Sequence, residues 1–219
     1  MCGRFTLTVA TFDELCALLG LPPGIDEDAA KAFRPRYNVA PTDTHIILRE
    51  DGRRQLAPAV WGLGTEKPQI NARSETADSR PTFRTAFGRT RCVVPADGFY
   101  EWTAERQPIW YHRKDGGLLL MAGLYERDRN GLRFTILTTA ANDLIAPVHD
   151  RMPAILAPEQ LDAWLGKTPL PKLRKLLAPA PADWLIATEV SPRVNSVQND
   201  DAACLDPPPP SKAKQLRLF

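Results

Sequence analysis

Histidine is scarce in this sequence and its cysteines are unpaired, which excludes several kinds of site. Only three histidines are present, and none has the spacing of an HExxH zinc motif. The four cysteines are widely separated without a CxxC pair: Cys2, Cys16, Cys92 and Cys204. This pattern argues against a zinc site and against a disulfide framework, so we expect neither a metal nor another cofactor.

Long apolar runs and a strong net charge are also missing. No stretch has the length of a membrane-spanning helix, and the first residues do not form a signal peptide, so we expect a cytoplasmic protein without membrane contact. The formal net charge of +2 is too small to identify a nucleic-acid-binding protein. Arginine is nevertheless frequent between Arg34 and Arg91, which would allow a local basic surface. Nothing indicates an oligomer, so we expect a monomer.

Proline is abundant, with 21 residues, and favours loops over long helices. Apolar patterns and glycine turns predict strands at 45–49, 57–63, 92–95, 109–113, 118–125, 132–139, 152–156 and 184–190. Helices are predicted at 12–19, 159–165 and 172–177, and loops at 24–36 and 64–81. The predicted fold is one α+β domain over residues 1–205, with a curved, mostly antiparallel, barrel-like sheet and short peripheral helices.

Cys2 can carry a chemistry that no internal cysteine has. Removal of Met1 would leave a free α-amine and a thiol on the same residue. Such a 1,2-aminothiol condenses with an aldehyde to an imine, and the thiol then closes on the imine to give a thiazolidine. The amine titrates near pH ~8 and the thiol near ~8.5, so part of each is unprotonated at neutral pH. Position alone leaves open that this cysteine has no function.

Three further residues are candidates for chemistry. Glu101 follows a predicted buried strand and lies between two aromatic residues, where an apolar setting would raise its pKa and suit it to proton transfer. His149 lies in a loop bounded by prolines, and Asn71 lies in a polar loop between strands. Locally, the alternatives of a surface glutamate, a loop histidine and a turn-forming asparagine remain open.

Each of Cys2, Asn71 and His149 is followed two residues later by an arginine. These arginines are Arg4, Arg73 and Arg151. The guanidinium group is a planar fork that matches phosphate oxygens. Each could equally be a solvated surface residue. Their repeated proximity to the candidates favours a site lined for phosphate.

Five segments occur in a fixed order: CGRF at 2–5, RYNVAP at 36–41, INARSET at 70–76, VVPADGFYEW at 93–102 and HDRMP at 149–153. Together they resemble the SOS-response-associated peptidase family, which is better described as a family of abasic-site DNA–protein crosslinkers. The resemblance covers about residues 1–200. It implies a compact, mostly β fold, a positively charged groove for single-stranded DNA, and association with the nucleoid when DNA is bound.

The resemblance also implies roles for individual residues. Cys2 would attack the ring-opened aldehyde of an abasic site and form a thiazolidine. Asn71 would position groups around the Cys2 amine, Glu101 would shuttle protons, and His149 would assist opening of the sugar ring. The implied DNA-binding residues are Arg4, Asn38, Arg73, Thr138 and Arg151. One departure is the segment 64–69, which is shorter than is common in the family and has no aromatic residue, so the preference for DNA junctions stays open.

Two other functions use the same features. A cysteine peptidase could employ Cys2 with His149 to cleave its own N-terminus or other proteins. The protein could also be a non-catalytic adaptor that binds DNA or the sliding clamp. In that case neither Cys2 nor His149 would take part in a reaction.

The end of the chain predicts a separate interaction. Residues 206–219 begin with a proline-rich segment that should act as an extended linker. The final pentapeptide QLRLF resembles the motif that binds the bacterial sliding clamp, with contacts expected from Gln215, Leu216, Leu218 and Phe219. The alternative is that this apolar end packs on its own domain.

Overall fold

A computed structural model describes residues 2–210 of the protein. Its strands are β1 (Phe5–Leu7), β2 (Arg36–Val39), β3 (Thr44–Asp51), β4 (Arg53–Trp61), β5 (Asn71–Arg73), β6 (Arg91–Ala96), β7 (Gly98–Trp102), β8 (Pro108–Arg113), β9 (Leu119–Asp128), β10 (Gly131–Ala140), β11 (Arg151–Pro153), β12 (Ile155–Leu156) and β13 (Leu185–Glu189). The α-helices are α1 (Phe12–Leu18), α2 (Glu27–Ala32), α3 (Arg84–Arg89), α4 (Leu161–Leu165) and α5 (Leu170–Lys175).

Five of these strands close into a barrel. β3 pairs with β4 and β6, β6 pairs with β9, and β9 pairs with β10, all antiparallel. β10 then pairs with β4 in parallel and completes the ring. Closure removes the exposed edges that an open sheet would present. Because β5 and β11 both pair with the second half of β10, they lie at one end of the barrel.

A second sheet, with strand order β13-β8-β7-β1-β2, packs on the barrel. Its β1 strand lies between β2 and β7. The ring of Phe5 on β1 is buried among apolar residues of the barrel. The ring centroid of Phe5 lies 5.0 Å from that of Trp61 and 4.7 Å from that of His45. These aromatic contacts bind the start of the chain to the core and so fix the position of Cys2.

The predicted α+β class with a barrel-like, mostly antiparallel core and short helices is confirmed. The loop predicted over 24–36 is wrong for Glu27–Ala32, which forms α2; only Ala29 of this helix is buried, so it lacks the apolar stripe that identifies helices in sequence. Asn71–Arg73 is a strand rather than a loop, because it pairs with β10. The strand predicted at 152–156 is divided between β11 and β12.

The predicted domain boundary at 205/206 remains a prediction. The Ser191 amide donates to the carbonyl of Asp206 at 2.7 Å, so this residue still contacts the folded part. The predicted clamp-binding motif lies outside the described residues. Within residues 2–210, no helix combines the length and apolarity needed to cross a bilayer.

Gly98 is expected to tolerate no side chain. A Cβ atom built there would lie 2.0 Å from Nε1 of Trp110, which donates a hydrogen bond to Thr6 Oγ1 at 3.1 Å. Gly98→Ala should therefore lower the free energy of unfolding by about 3 kcal/mol or more, measured by urea titration. Gly88→Ala is the matched control, because nothing lies within 4 Å of a Cβ there and alanine favours helix α3 by up to ~1 kcal/mol. Equal stability of the two variants would contradict this packing.

Candidate active site

The register of β1 and β7 brings Glu101 to the start of the chain. Phe5 is opposite Phe99, and the Tyr100 amide donates to the carbonyl of Arg4 at 3.0 Å, so pairing continues toward Cys2. Residues two apart on a strand share a face, so Glu101 follows Phe99 on the side that faces the barrel. Its side chain is almost fully buried, with 4% of the residue exposed.

Asn71 holds the backbone of Cys2. Its Nδ2 donates to the Cys2 carbonyl at 2.8 Å. The strand β5 supplies this group because its parallel pairing places Asn71 opposite Ile136 of β10. Asn71 Oδ1 is buried and has no hydrogen-bond partner among residues 2–210. The side chain therefore fixes Cys2 with one end and keeps an acceptor at the other.

Burial and charge keep the Cys2 thiol protonated. Cys2 is fully buried, and its Sγ donates to the Arg4 carbonyl at 3.7 Å. Burial raises the pKa of this thiol far above its ordinary value, and the nearby carboxylate of Glu101 raises it further. Burial also raises the pKa of Glu101, to about 7. At neutral pH this carboxyl is therefore present in both protonation states beside a thiol.

His149 is a neutral imidazole in this arrangement. The Arg151 amide donates to its Nδ1 at 2.9 Å, so Nδ1 carries the lone pair and the ring proton lies on Nε2. Asp150 Oδ1 is 3.0 Å from the same nitrogen, but that carboxylate is largely solvated. Burial dominates and lowers the pKa of His149. The ring can therefore donate a proton through Nε2.

Arg151 and Thr138, predicted to bind phosphate, are both buried. The Arg151 guanidinium makes a bidentate pair with Glu75, at 2.6 and 2.9 Å, and also donates to the Thr138 carbonyl. It therefore joins β10, β11 and the segment after β5. The Arg151–Glu75 ion pair also links the two candidate residues. His149 is two residues before Arg151 and Asn71 is four residues before Glu75, so the pair helps to fix the distance between them.

Arg4 and Asn38 form a second hydrogen-bonded network. Arg4 Nη1 donates to Asn38 Oδ1 at 2.8 Å and to the Val194 carbonyl at 2.9 Å. Asn38 Nδ2 donates in turn to the carbonyls of Val194, Ser196 and Asn199. Burial lowers the pKa of Arg4. Of the five predicted DNA-binding residues, Arg73 is exposed, Arg4 is half-buried, and the other three are buried.

The catalytic candidates thus converge at one end of the barrel, built from β1, β5, β7 and the loop before β11. Residues 2–210 contain no group of three or more histidine, cysteine or acidic side chains that could hold a metal ion. A comparison with protein-family models matches residues 1–197 to the family described as SOS response associated peptidase (SRAP). The chain belongs to the SRAP family.

Curated relatives of this SRAP protein span nearly its whole length. It is 37% identical to the abasic site processing protein YoaM of Bacillus subtilis, covering 94% of this chain and 98% of that protein. It is 33% identical to the abasic site processing protein YedK of Escherichia coli, covering 94% and 100%. A crystal structure from Bacteroides thetaiotaomicron superposes with a TM-score of 0.81 at 24% identity, covering 94% of this chain and 99% of that one, which shows the shared fold.

Sequence reasoning missed Glu75 in this SRAP site. Glu75 lies in the same INARSET segment as Asn71 and Arg73. It forms an ion pair with Arg151, a residue for which the sequence predicts only DNA binding. No local signal identifies this pair, because the two residues are 76 positions apart. A buried arginine does not always have an acidic partner either, since Arg91 donates to the carbonyls of Phe87, Trp164 and Gly166.

Glu75→Ala should destabilise the protein by about 1–3 kcal/mol, because Arg151 would be left buried without its carboxylate. The value is discounted because the Glu75 side chain is 50% exposed. Urea unfolding measures the change. Glu66→Ala, in an exposed loop, is the control and should stay within about 0.5 kcal/mol of the wild type. Equal effects would remove the structural role assigned to the pair.

Proposed function

We propose that this protein processes abasic sites in single-stranded DNA by crosslinking itself to them through Cys2 after removal of Met1. Its relatives YoaM and YedK are named abasic site processing proteins. The observation that best supports the proposal is that Asn71 and Glu101 both interact with Cys2. Asn71 Nδ2 donates a hydrogen bond to the Cys2 carbonyl at 2.8 Å. The buried Glu101 carboxyl is close enough to the Cys2 thiol to raise the pKa of that thiol.

The proposed reaction needs no oxidant or reductant. The Cys2 amine adds to the C1′ aldehyde of the opened sugar, and loss of one water gives an imine. The Cys2 sulfur then adds to the imine carbon while the thiol proton goes to the nitrogen. The product is a thiazolidine, and the net change is aldehyde plus aminothiol to thiazolidine plus water.

Glu101 and His149 supply the proton transfers in this scheme. An abasic sugar is mostly a closed ring, so its ring oxygen must gain a proton as the aldehyde forms. The Nε2 proton of His149 is suited to that step. With a pKa of about 7, Glu101 can protonate the departing hydroxyl of the carbinolamine and accept the proton of the thiol. Asn71 keeps the Cys2 backbone in place for both additions.

The peptidase alternative is disfavoured by the state of the thiol. A cysteine peptidase attacks with a thiolate, whose pKa is lowered by a histidine or a helix N-terminus. Here burial and Glu101 raise the pKa of Cys2. The proposed ring closure needs no free thiolate, because the thiol proton goes to the imine nitrogen as the sulfur adds. The Arg151 amide donates to His149 Nδ1 and the ring proton lies on Nε2, so the neutral imidazole has no nitrogen available to take a proton from the thiol.

The test is incubation of the full chain with a single-stranded oligonucleotide that contains one abasic site. We expect a covalent adduct that survives heating, with a mass equal to protein without Met1 plus oligonucleotide minus one water. An undamaged oligonucleotide of the same sequence should give none. Absence of the adduct, or a protein that retains Met1 and still forms it, would overturn the proposal.

The C-terminal pentapeptide gives a separate proposal, that the tail binds the bacterial replication sliding clamp and delivers the protein to replication forks. Its residues are Gln215, Leu216, Leu218 and Phe219. A clamp pull-down should recover the full chain and lose it when the last five residues are deleted. Unchanged recovery would refute clamp binding without affecting the crosslinking proposal.

A further inference from the structure

We propose that Asp97 is a positioning residue, which fixes the register of β1 on β7 and thereby holds Cys2 beside Glu101. This inference rests on the proposed function, because it concerns two groups that the proposed reaction uses. Asp97 lies at the corner between β6 and β7, in the same VVPADGFYEW segment as Glu101 and four residues before it. The proposed reaction assigns no step to its side chain.

The carboxyl group of Asp97 accepts three hydrogen bonds from β1 and from the residue that follows this strand. Oδ1 accepts the Thr6 hydroxyl. Oδ2 accepts the Thr8 amide at 2.5 Å and the Thr8 hydroxyl at 2.6 Å. The Asp97 amide also donates to the Thr6 carbonyl at 3.0 Å. Two residues opposite each other in an antiparallel ladder exchange at most two hydrogen bonds, so Asp97 binds β1 through more bonds than an ordinary strand residue would.

The rest of the β1 pairing leaves its register weakly specified. The strand is only three residues long, and its paired residues on β7 are Phe99, opposite Phe5, and Gly98, opposite Thr6. On the other side, an extra residue of β2 interrupts the pairing between Phe5 and Leu7. A slip of one residue turns every side chain of a strand to the opposite face. The Asp97 bonds therefore add a side-chain constraint where the ladder supplies few.

The register of β1 decides where Cys2 lies relative to Glu101. Counting four residues back from Thr6 reaches Cys2, and counting four residues forward from its partner Gly98 reaches the residue after Glu101. A slip of one residue would displace Cys2 by roughly 3.3 Å along the strand. Since a misplacement of about 1 Å can lower a rate by ~10²-fold, Asp97 affects the reaction from the far end of the strand pair.

A double-mutant cycle between Asp97→Asn and Glu101→Gln tests this coupling. Asparagine keeps the shape of aspartate, but its nitrogen cannot accept the Thr8 bonds. Asp97→Asn should lower the single-turnover rate of adduct formation by about 10- to 10²-fold. In the Glu101→Gln background it should change the rate by less than about threefold, because the group at which it places Cys2 is already inactive. If the two losses multiply instead, the residues act independently and the proposal is overturned.

Cysteine alkylation measures the placement of Cys2 without DNA. Cys2 and Cys92 are both fully buried, and Cys92 lies in the barrel strand β6. With iodoacetamide and peptide mass spectrometry, Asp97→Asn should accelerate labelling of Cys2 by about tenfold or more through local opening of the chain start. Labelling of Cys92 should keep its wild-type rate. Equal acceleration at both cysteines, or none at Cys2, would contradict the positioning role.

Thr8 offers a matched pair of variants. Thr8→Val removes the hydroxyl that donates to Asp97, whereas Thr8→Ser retains it. Thr8→Val should slow adduct formation by about threefold or more, the effect of one lost hydrogen bond, and Thr8→Ser should react at about the wild-type rate. Equal rates for the two variants would argue against the contact. If the wild type forms no adduct at all, the proposed function fails, while the alkylation rates still decide whether Asp97 places Cys2.

Discussion

Cys2→Ser protein is expected to form no heat-stable adduct with abasic-site DNA, under conditions in which the proposed reaction gives one with the wild type. Serine retains the α-amine after Met1 removal, so the imine can still form. Its hydroxyl is a far weaker nucleophile than a thiol and does not close a stable ring on the imine. Borohydride should therefore trap a reduced imine in the variant, while the untreated adduct should be lost on heating. Denaturing gel electrophoresis with and without borohydride measures both species.

Cys204→Ser is a suitable control for this substitution. Cys204 is also buried, and its Sγ donates to the Asn199 carbonyl at 3.5 Å, a role that a hydroxyl can take over. This variant should crosslink as the wild type does. A heat-stable adduct from Cys2→Ser would show that sulfur is not part of the bond and would overturn the thiazolidine.

Glu101→Gln is expected to slow crosslinking by about 10²- to 10⁴-fold, the usual contribution of general acid–base catalysis. Glutamine has the same shape but cannot exchange a proton. The wild-type rate should change with pH near 7, following the raised pKa of Glu101, and the variant should lack this inflection. Single-turnover rates between pH 5 and pH 9 provide the measurement. A profile that is unchanged in Glu101→Gln would assign the inflection to another group.

The same pKa predicts a stability difference with a definite sign. Since the folded-state pKa of Glu101 is raised to about 7 from an ordinary value of 4.5, the protonated carboxyl is favoured in the fold. This contribution is complete below pH 4.5 and is lost as pH rises through 7. Glutamine does not ionise, so the variant does not lose stability as the pH rises. It should therefore be more stable than the wild type at pH 8 and similar in stability at pH 4.5. Thermal unfolding at the two pH values tests the sign.

Much of the fold could be predicted because its strands carry local signals. The segments 45–49 and 132–139 are rich in apolar residues and each adjoins one glycine turn, and they form most of β3 and β10. The closure of the barrel had no such signal, because the parallel pair between β4 and β10 joins residues about seventy positions apart. Asn71–Arg73 likewise becomes a strand through a distant partner, and no local propensity predicts it.

The site was predicted in its residue types more completely than in its geometry. Motif resemblance supplied Cys2, Asn71, Glu101 and His149, and the fold brings them to one end of the barrel. It did not distinguish side chains that face a ligand from those that hold the fold. Arg151 is bound by Glu75, which a sequence without coordinates does not reveal. Burial separates these roles, and it depends on packing from the whole chain.

The bond between Arg4 and the Val194 carbonyl has a consequence for the timing of reactivity. The second residue after Cys2 is held in place by a segment nearly two hundred positions later, and Asn38 joins the same segment through three carbonyls. Once Met1 is removed as proposed, an elongating chain that has not yet reached this segment carries a free aminothiol but lacks the surroundings that orient it. The proposed nucleophile is thus synthesised first but reaches its final surroundings only after residue 194 has been added, so the fold does not assist reaction of Cys2 with cellular aldehydes before that point.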